Sequence, residues 1–265
     1  MKLRLMDYGS LTADEGWVME AAGVSTHSTP APASLRRDYN MIGAMIEHPK
    51  SGLILYEAGP APNWEELWPE PVREVFGISR YSEENRMDKI LEKSGYTLND
   101  VKAVIIGHMH LDHAGGLEFF RGMDTPIYVH EEEIKYSFYA VATKQDFGAY
   151  LPHYIDSSFN FKPVYGEEFE LFDGITLYRT PGHTPGCMSM RADLGNGEQF
   201  LFTSDTMFFK ENFFDEQPLG WLVRDMAGWW RSLARLKRIA EAYNCKVVLG
   251  HDGDIFSQYA GKVYG

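Results

Sequence analysis

A short segment rich in metal-binding side chains follows an apolar run near the middle of the chain. Residues 101–116 read VKAVIIGHMHLDHAGG, in which three histidines and one aspartate fall within six positions. A β-branched apolar run of this kind predicts a short buried strand, here Ala103–Ile106. Imidazole and carboxylate groups are ordinary ligands of transition metals. The segment therefore puts metal-binding groups where a buried strand meets a loop.

The four side chains of this segment can reach two ions. Alternate residues of extended backbone project the same way, so His108 and His110 can contact one ion. Asp112 and His113 lie on the turn that follows and can contact a second. An isolated histidine is more often an ordinary core or surface residue. That ordinary interpretation is kept for His27, His48, His130 and His153.

Three further sites share this setting at the end of an apolar run. They are His183 in TPGHTPG, Asp205 in LFTSD and His251 in VVLGHD. If the strands form a mixed sheet, the side chains at their ends meet along one rim. Seven nitrogen and oxygen ligands suit two zinc ions. The predicted ligands of two Zn²⁺ ions are His108, His110, Asp112, His113, His183, Asp205 and His251.

Strands alternate with helices in both halves of the chain. This order predicts a single α/β domain, residues 1–265, built as an αββα sandwich of two mixed β-sheets flanked by helices. The predicted strands are Met41–Glu47 and Leu53–Glu57, which form a hairpin, and then Ala103–Ile106, Thr125–His130, Ile175–Arg179, Cys187–Arg191, Gln199–Thr203 and Cys245–Gly250. The predicted helices are Glu83–Ser94, Glu131–Thr143 and Met226–Tyr243.

Two proline-rich segments, Thr26–Asp38 and Gly59–Ser82, are predicted to be loops. The second segment carries several aromatic residues. Aromatic side chains on a long loop can roof a ligand pocket, or they can simply pack the loop onto the domain, and both interpretations stand. The aromatic residues concerned are Trp64, Trp68, Phe76 and Tyr81.

Composition restricts the class of partner. The formal net charge is −13, and such an acidic surface repels phosphate groups, so we expect neither a nucleic acid nor an anionic membrane as partner. Apolar runs fall well short of the roughly 20 residues that span a bilayer, and the N-terminus has no apolar signal region. We therefore expect a cytoplasmic protein with reduced cysteines, Cys187 and Cys245, that acts on a small molecule.

The order of motifs resembles a known family. HMHLDH, PGHTPG, SD and GHD occur in the order found in the metallo-β-lactamase superfamily, and the likeness runs from about Met41 to Asp252. ENRMDKILEKSGY, HLDHAGG and KENFFDE make the chain most similar to the N-acyl-homoserine lactone lactonases. This resemblance implies the αββα sandwich. It also implies that His108, His110 and His183 bind one zinc, that Asp112, His113 and His251 bind the other, and that Asp205 bridges them.

The resemblance implies a metal-dependent hydrolase that opens the ring of a small lactone. Water activated by both zinc ions is then the nucleophile, so that no serine or cysteine nucleophile is needed. Asp112 or Asp205 is expected to carry the proton to the leaving group, and Asp112 is preferred because one of its oxygens stays free.

Two positions depart from the lactonase pattern. Glu57 stands in YEAG where the family has an aspartate, and Phe208 stands where lactonases carry a tyrosine. The second change removes a phenol that could bond the substrate carbonyl, which leaves open the hydrolysis of a cyclic amide or carbamate at the same metal centre. A third hypothesis is a metal-holding scaffold used for binding alone, and the complete ligand set argues against it.

Overall fold

The computed structural model describes residues 1–265, apart from the side chain of Phe147. The strands are β1 (Lys2–Asp14), β2 (Arg36–His48), β3 (Gly52–Tyr56), β4 (Gly77–Arg80), β5 (Val101–Ile105), β6 (Ile127–His130), β7 (Phe161–Val164), β8 (Glu168–Phe172), β9 (Ile175–Arg179), β10 (Met188–Asp193), β11 (Gln199–Phe202) and β12 (Lys246–Val248). The α-helices are α1 (Glu15–Val18), α2 (Trp64–Leu67), α3 (Glu70–Val75), α4 (Met87–Lys93), α5 (Leu111–Ala114), α6 (Glu131–Thr143), α7 (Lys210–Phe213), α8 (Met226–Ala242) and α9 (Gly253–Tyr259).

The strands of the described chain form two mixed sheets. A seven-stranded sheet has the order β4-β1-β2-β3-β5-β6-β7, and a five-stranded sheet has the order β12-β11-β10-β9-β8. In the first sheet β2 and β3 form the predicted antiparallel hairpin, while β3, β5, β6 and β7 run parallel. In the second sheet β11 and β12 are parallel and the other neighbours are antiparallel. The prediction of an αββα sandwich is confirmed.

Alternate side chains of the strands belong to two different apolar cores. Ile42, Ala44 and Ile46 of β2 belong to the core between the sheets, together with Leu177 of β9 and Met190 of β10. Residues of opposite parity face the helices on the outside. Because successive side chains of a strand point to opposite faces, one buried strand serves both cores.

The longest helix covers the outer face of the second sheet. Helix α8 buries Trp229, Leu233 and Leu236, which recur at helical spacing, in the same cluster as Tyr178 of β9. The side chain of Asp225 caps its first turn by accepting a hydrogen bond from the N–H of Gly228 at 2.8 Å. The Trp229 Nε1 donates to the carbonyl of Thr206 at 2.8 Å, which attaches this helix to the turn that carries Asp205.

Both segments predicted to be loops contain regular structure. Strand β2 begins at Arg36, so the end of Thr26–Asp38 is extended and pairs with β1, as in Asp14 opposite Arg36. Segment Gly59–Ser82 holds α2, α3 and β4. Proline does not prevent α3, because Pro69 precedes the helix and Pro71 lies in its first turn, where the missing N–H costs nothing. The loop predictions were wrong at these positions.

Other boundaries also differ from the predictions. Strand β1 received no prediction, nor did β7 and β8, although β1 is 13 residues long. Its pairing with β2 shifts register between Asp7 and Ser10, so Met6 and Tyr8 are buried before the bulge, and Leu11 and Ala13 after it. The predicted helix Glu83–Ser94 is a 3₁₀ turn, Glu83–Asn85, followed by α4. Among the described residues no helix is long and apolar enough to cross a membrane.

Candidate metal centre

The side chains predicted as metal ligands lie at the carboxyl ends of four strands. His108 and His110 follow β5, His183 follows β9, Asp205 follows β11, and His251 follows β12. Asp112 and His113 belong to α5, the short helix that continues from His110. These strand ends meet at one edge of the sandwich, and the structure brings all seven predicted side chains together there.

The carboxylate of Asp205 lies between two groups of histidines. Its Oδ2 is 3.4 Å from Nε2 of His183 and 3.6 Å from Nε2 of His108. Its Oδ1 is 3.1 Å from Nε2 of His113 and 3.1 Å from Nε2 of His251. The Nε2 of His251 is also 3.2 Å from Oδ2, so it contacts both oxygens. The carboxylate therefore lies between the two groups of histidines, as a bridging carboxylate would.

The first group consists of His108, His110 and His183, whose ligand atoms lie within 4.8 Å of one another. The His183 Nε2 and the His110 Nδ1 are 2.9 Å apart. Burial, together with the neighbouring His113, lowers the pKa of His108 well below 6.5. Burial likewise lowers the pKa values of His110 and His183. Neutral imidazoles are the form that binds metal.

The second group consists of Asp112, His113 and His251, again with ligand atoms within 4.8 Å of one another. Asp112 Oδ2 is 3.4 Å from His113 Nε2 and 3.6 Å from His251 Nε2. Burial alone would lower the pKa values of both histidines, but the Asp205 and Asp112 carboxylates outweigh it and raise them. The three carboxylates around His113, including that of Glu57, give this part of the site a negative field that suits a cation.

Backbone and side-chain acceptors fix three of the imidazole rings. The Nδ1 atoms of His183 and His251 lie 2.9 Å and 2.8 Å from the carbonyls of Leu222 and Asn40. His108 Nδ1 is 3.3 Å from Ser204 Oγ. With Nδ1 held in this way, Nε2 of each ring points at the centre, as metal-binding histidines require.

The carboxylate of Glu57 supports the second group of ligands through its contact with His113. This carboxylate accepts hydrogen bonds from Ser204 Oγ at 2.9 Å and from the N–H of Gly107 at 3.1 Å, and it lies 3.3 Å from His113 Nδ1. A side chain at position 107 would overlap both Glu57 and Ser204, so glycine is needed there. The Glu57 carboxylate is thus placed to orient a histidine, as the sequence led us to expect.

A fully buried carboxylate that the sequence did not single out supports the first group. Glu133 of α6 accepts hydrogen bonds from the N–H of Met109 at 2.9 Å and the Tyr150 hydroxyl at 2.9 Å. It also accepts from Thr184 Oγ1 at 2.7 Å and from the N–H of Gly186 at 3.1 Å. Burial raises the pKa of Glu133, and these four donors oppose the rise. In the sequence Glu133 is the last of three successive glutamates, and nothing in that pattern predicts that it is buried.

An apolar cleft, open to solvent, reaches the metal ligands. His110, Asp112, His183, Asp205 and His251 lie at its inner end. Its walls are formed mainly by apolar side chains: Leu11, Val18, Val72, Phe76, Trp221 and Leu222.

The aromatic residues of segment 59–82 were expected either to roof a ligand pocket or to pack the segment onto the domain, and the structure shows both. Phe76 lines the cleft. Trp68 is buried and packs edge-on against Trp64 at 5.6 Å, which is ordinary packing. Phe208 also lines the cleft, with its ring 5.4 Å from that of His183 and 4.7 Å from that of His251.

The donor atoms at this centre fit a metal. Nε2 of His108, Nε2 of His113 and Oδ1 of Asp205 are buried. Their contacts with one another's side chains, at 3.1–3.6 Å, do not have the geometry of hydrogen bonds, and the other described residues supply none. Buried polar atoms without partners are costly. A cation at the centre would satisfy these atoms, and the mixture of imidazole nitrogen and carboxylate oxygen suits zinc.

Comparison with known proteins agrees with this geometry. The family model of the metallo-β-lactamase superfamily matches residues 44–251. An N-acyl homoserine lactonase of a Bacillus species is 33% identical over 206 residues, covering 77% of this chain and 78% of that protein. An N-acyl homoserine lactonase of Agrobacterium fabrum is 24% identical over 266 residues, covering 97% of this chain and 95% of that protein.

Solved structures show the same fold. An N-acyl homoserine lactone hydrolase with the product N-hexanoyl-L-homoserine bound at its catalytic metal centre has a TM-score of 0.80 and 27% identity, with coverage of 97% of this chain and 95% of that chain. The dizinc quorum-quenching lactonase AidC is similar in fold alone, with a TM-score of 0.64, 17% identity and coverage of 95% and 87%. The prediction of a metal-dependent hydrolase is confirmed. By the family match and these relatives, the chain belongs to the metallo-β-lactamase superfamily.

Proposed function

We propose that this protein, acting as a single domain, hydrolyses the ring ester of a small lactone such as an N-acyl-homoserine lactone at a centre of two zinc ions. The observation that carries the proposal is the position of Asp205, whose carboxylate contacts histidines of both ligand groups at the inner end of an apolar cleft. The similarity to N-acyl homoserine lactonases over most of the chain supports the substrate class.

The two zinc sites would divide the seven ligands. His108, His110 and His183 would hold one ion, and Asp112, His113 and His251 the other. Asp205 would help to hold both ions. When bound, two zinc ions supply a water molecule of lowered pKa and polarise a carbonyl oxygen, which is the chemistry that ester hydrolysis needs.

The protein residues have separate tasks in this reaction. Asp112 is the better candidate to carry the proton to the leaving oxygen, because its side chain is 11% exposed and lines the cleft, whereas that of Asp205 is 3% exposed and lies between histidines. The apolar walls exclude bulk water and accept an acyl chain. Charged substrates are disfavoured by the same walls, which agrees with a neutral lactone.

Hydrolysis of a cyclic amide is the second candidate, and Phe208 is the observation that favours it. The ring of Phe208 lies against His183 and His251, at the position where the lactonases are expected to offer a phenol. Without that donor, the cleft differs from the lactonase pattern next to the reacting groups. An amide ring of similar size would fit the same walls.

A panel of substrates tests the two candidates with the zinc-loaded protein. The panel contains N-hexanoyl- and N-decanoyl-homoserine lactone, an unsubstituted γ-lactone and an aryl γ-lactam. Ring opening at pH 7.5 is followed by chromatographic separation of substrate and product, because the amine freed from a lactam can take up the proton that the new carboxyl group releases. We expect turnover of the lactones and none of the lactam. Turnover of the lactam alone would replace the proposal by the second candidate. A protein that holds two zinc ions and hydrolyses none of these compounds would contradict both.

A further inference from the structure

The residue that follows β3 has an unusual backbone geometry. Glu57 has a φ of +61°, in the left-handed region that residues other than glycine seldom adopt. Such a backbone persists where the surrounding contacts impose it. The carboxylate of Glu57 lies 3.3 Å from His113 Nδ1, and the backbone of Glu57 decides where this carboxylate lies. The contacts that hold this backbone therefore bear on the second group of ligands.

The peptide unit between Glu57 and Ala58 is hydrogen-bonded at both of its polar atoms. Its carbonyl oxygen accepts a hydrogen bond from the Tyr8 hydroxyl at 3.0 Å, and its N–H donates to the backbone carbonyl of His113 at 2.8 Å. One peptide unit thus connects a tyrosine of β1 with the backbone of a proposed metal ligand. The side chain of Glu57 contacts the ring of the same ligand.

The chain around this peptide unit is in direct contact with the chain that carries His113. The N–H of Gly116 donates to the carbonyl of Gly59 at 2.9 Å, and a Cβ at position 116 would lie 2.2 Å from the carbonyl oxygen of Ala58. Two backbones this close cannot move independently, because close-packed atoms transmit a displacement. A rotation of the Glu57–Ala58 peptide therefore displaces His113.

Tyr8 is fixed in its place by the fold. Its side chain is 1% exposed, and two glycines make room for its ring: a Cβ at Gly43 or at Gly59 would come within 2.5 Å of the ring. Besides the Glu57 carbonyl, its hydroxyl has the sulfur of Met6 at 3.5 Å, which is a weak acceptor. Burial and the Glu57 carboxylate raise the pKa of Tyr8, so the hydroxyl keeps its proton at neutral pH.

This tyrosine is separate from both the ligands and the substrate cleft. Strand β1 supplies none of the seven proposed ligands, and the described residues that line the cleft do not include Tyr8. Any effect of the hydroxyl on the metal centre must therefore pass through the Glu57–Ala58 peptide.

We propose that Tyr8 is a positioning residue of the metal centre, whose hydroxyl holds the Glu57–Ala58 peptide and through it places His113 for the ion of the second group. This inference rests on the proposed function, a hydrolase with two zinc ions, and adds to it a residue that contacts neither metal nor substrate.

The variant Tyr8→Phe tests the inference, since it removes the hydroxyl and leaves the ring between its two glycines. The quantity measured is the ratio of the two stepwise Kd values for zinc, from competition with a chromophoric chelator. The step of the second ion is identified as the one that Glu57→Gln shifts more. We expect Tyr8→Phe to weaken this step about three- to tenfold relative to the other, the size of one neutral hydrogen bond. For N-hexanoyl-homoserine lactone, kcat should fall while KM stays, because Tyr8 does not line the cleft.

Tyr178→Phe is the matched control. Tyr178 is also buried, and its hydroxyl accepts a hydrogen bond from Arg191 Nε at 3.2 Å within the second sheet. Both variants lose one hydrogen bond and should lose stability in urea unfolding. Tyr178→Phe should nevertheless keep the wild-type ratio of Kd values, so the ratio separates positioning from a general loss of stability.

The outcomes distinguish this inference from the function on which it rests. A ratio in Tyr8→Phe that equals the wild-type ratio, or a shift confined to the ion of the first group, would overturn the inference and leave the proposed function standing. A wild-type protein that binds fewer than two zinc ions, or that opens no lactone with two bound, would contradict the proposed function itself.

Discussion

The carboxylate of Glu133 accepts a hydrogen bond from the N–H of Met109, which lies between two of the proposed metal ligands. The same carboxylate accepts hydrogen bonds from Thr184 and Gly186, in the loop that carries His183. One buried side chain from α6 therefore connects both loops that form the first group of ligands.

Replacing Glu133 by glutamine should weaken zinc binding by the first group. A glutamine amide would direct its own N–H toward donors that now face a carboxylate, and loss of such a supporting partner typically costs about 10- to 100-fold in metal affinity. Competition with a chromophoric chelator measures the change. Glu132→Gln is the control, because Glu132 is partly exposed and pairs with Lys135, and it should bind zinc as the wild type does. Equal affinities in the two variants would argue against this role of Glu133.

Replacing Glu57 by glutamine should affect the other group. The carboxylate of Glu57 lies 3.3 Å from His113 Nδ1, so we expect the ion held by Asp112, His113 and His251 to bind about 10- to 100-fold more weakly. In a zinc titration followed by calorimetry, the binding step of this ion should shift more than the other, because Glu57 reaches the first group only through Ser204 and His108. Glu47→Gln, at a surface pair with Arg4, serves as control. A shift of neither step would contradict the supporting role.

Removal of the metals should destabilise the fold. Buried nitrogen and oxygen atoms would lose their partners, and a ligand present at about a thousandfold excess over its Kd stabilises a protein by roughly 4 kcal/mol. For a chain of this size we expect the thermal midpoint to drop by about 10 °C after chelation. Scanning calorimetry before chelation, after chelation and after addition of zinc measures the effect. A midpoint that ignores all three treatments would be inconsistent with a metal centre inside the core.

Acidification should also lower the stability of the folded protein through a residue outside the metal centre, His153. Burial lowers the pKa of His153 to about 4, below its ordinary value of 6.5. Between these two pH values the unfolded chain binds a proton at this residue and the folded chain does not, so stability falls as the pH falls from 6.5 to 4. We expect the metal-free His153→Gln protein to lose less stability between pH 7 and pH 5 than the metal-free wild type. Parallel losses in urea unfolding would show that His153 contributes nothing to this dependence.

The sequence predicted the structure best where a local pattern of residues determines the element. The strands before the ligands are short apolar runs, and the histidines and aspartates directly after them stand out against those runs. The antiparallel hairpin of β2 and β3 could be predicted from the sequence because two apolar runs flank a group of turn residues. Strand β1 was not readable, because the bulge between Asp7 and Ser10 changes which residues face the core.

The sequence did not predict the role of residues whose burial depends on contacts far along the chain. Glu133 is the third glutamate at the start of a helix, and its burial arises only because loops more than 20 residues away in either direction close over it. Tyr39 falls between the predicted loop Thr26–Asp38 and the predicted strand Met41–Glu47, and its place in the cleft depends on the pairing of β2 with β1. Charged residues such as Arg37 interrupt the apolar pattern at the beginning of β2, so the sequence predicted only the later part of this strand, from Met41.

The most direct test of the central claim is the zinc stoichiometry of wild-type protein and of Asp205→Asn, measured by elemental analysis after dialysis. Because the Asp205 carboxylate contacts histidines of both ligand groups, we predict about two zinc ions per wild-type chain, and about one in the variant together with a loss of kcat. An Asp205→Asn protein that retains two ions per chain and full kcat would contradict the bridging centre on which the account depends.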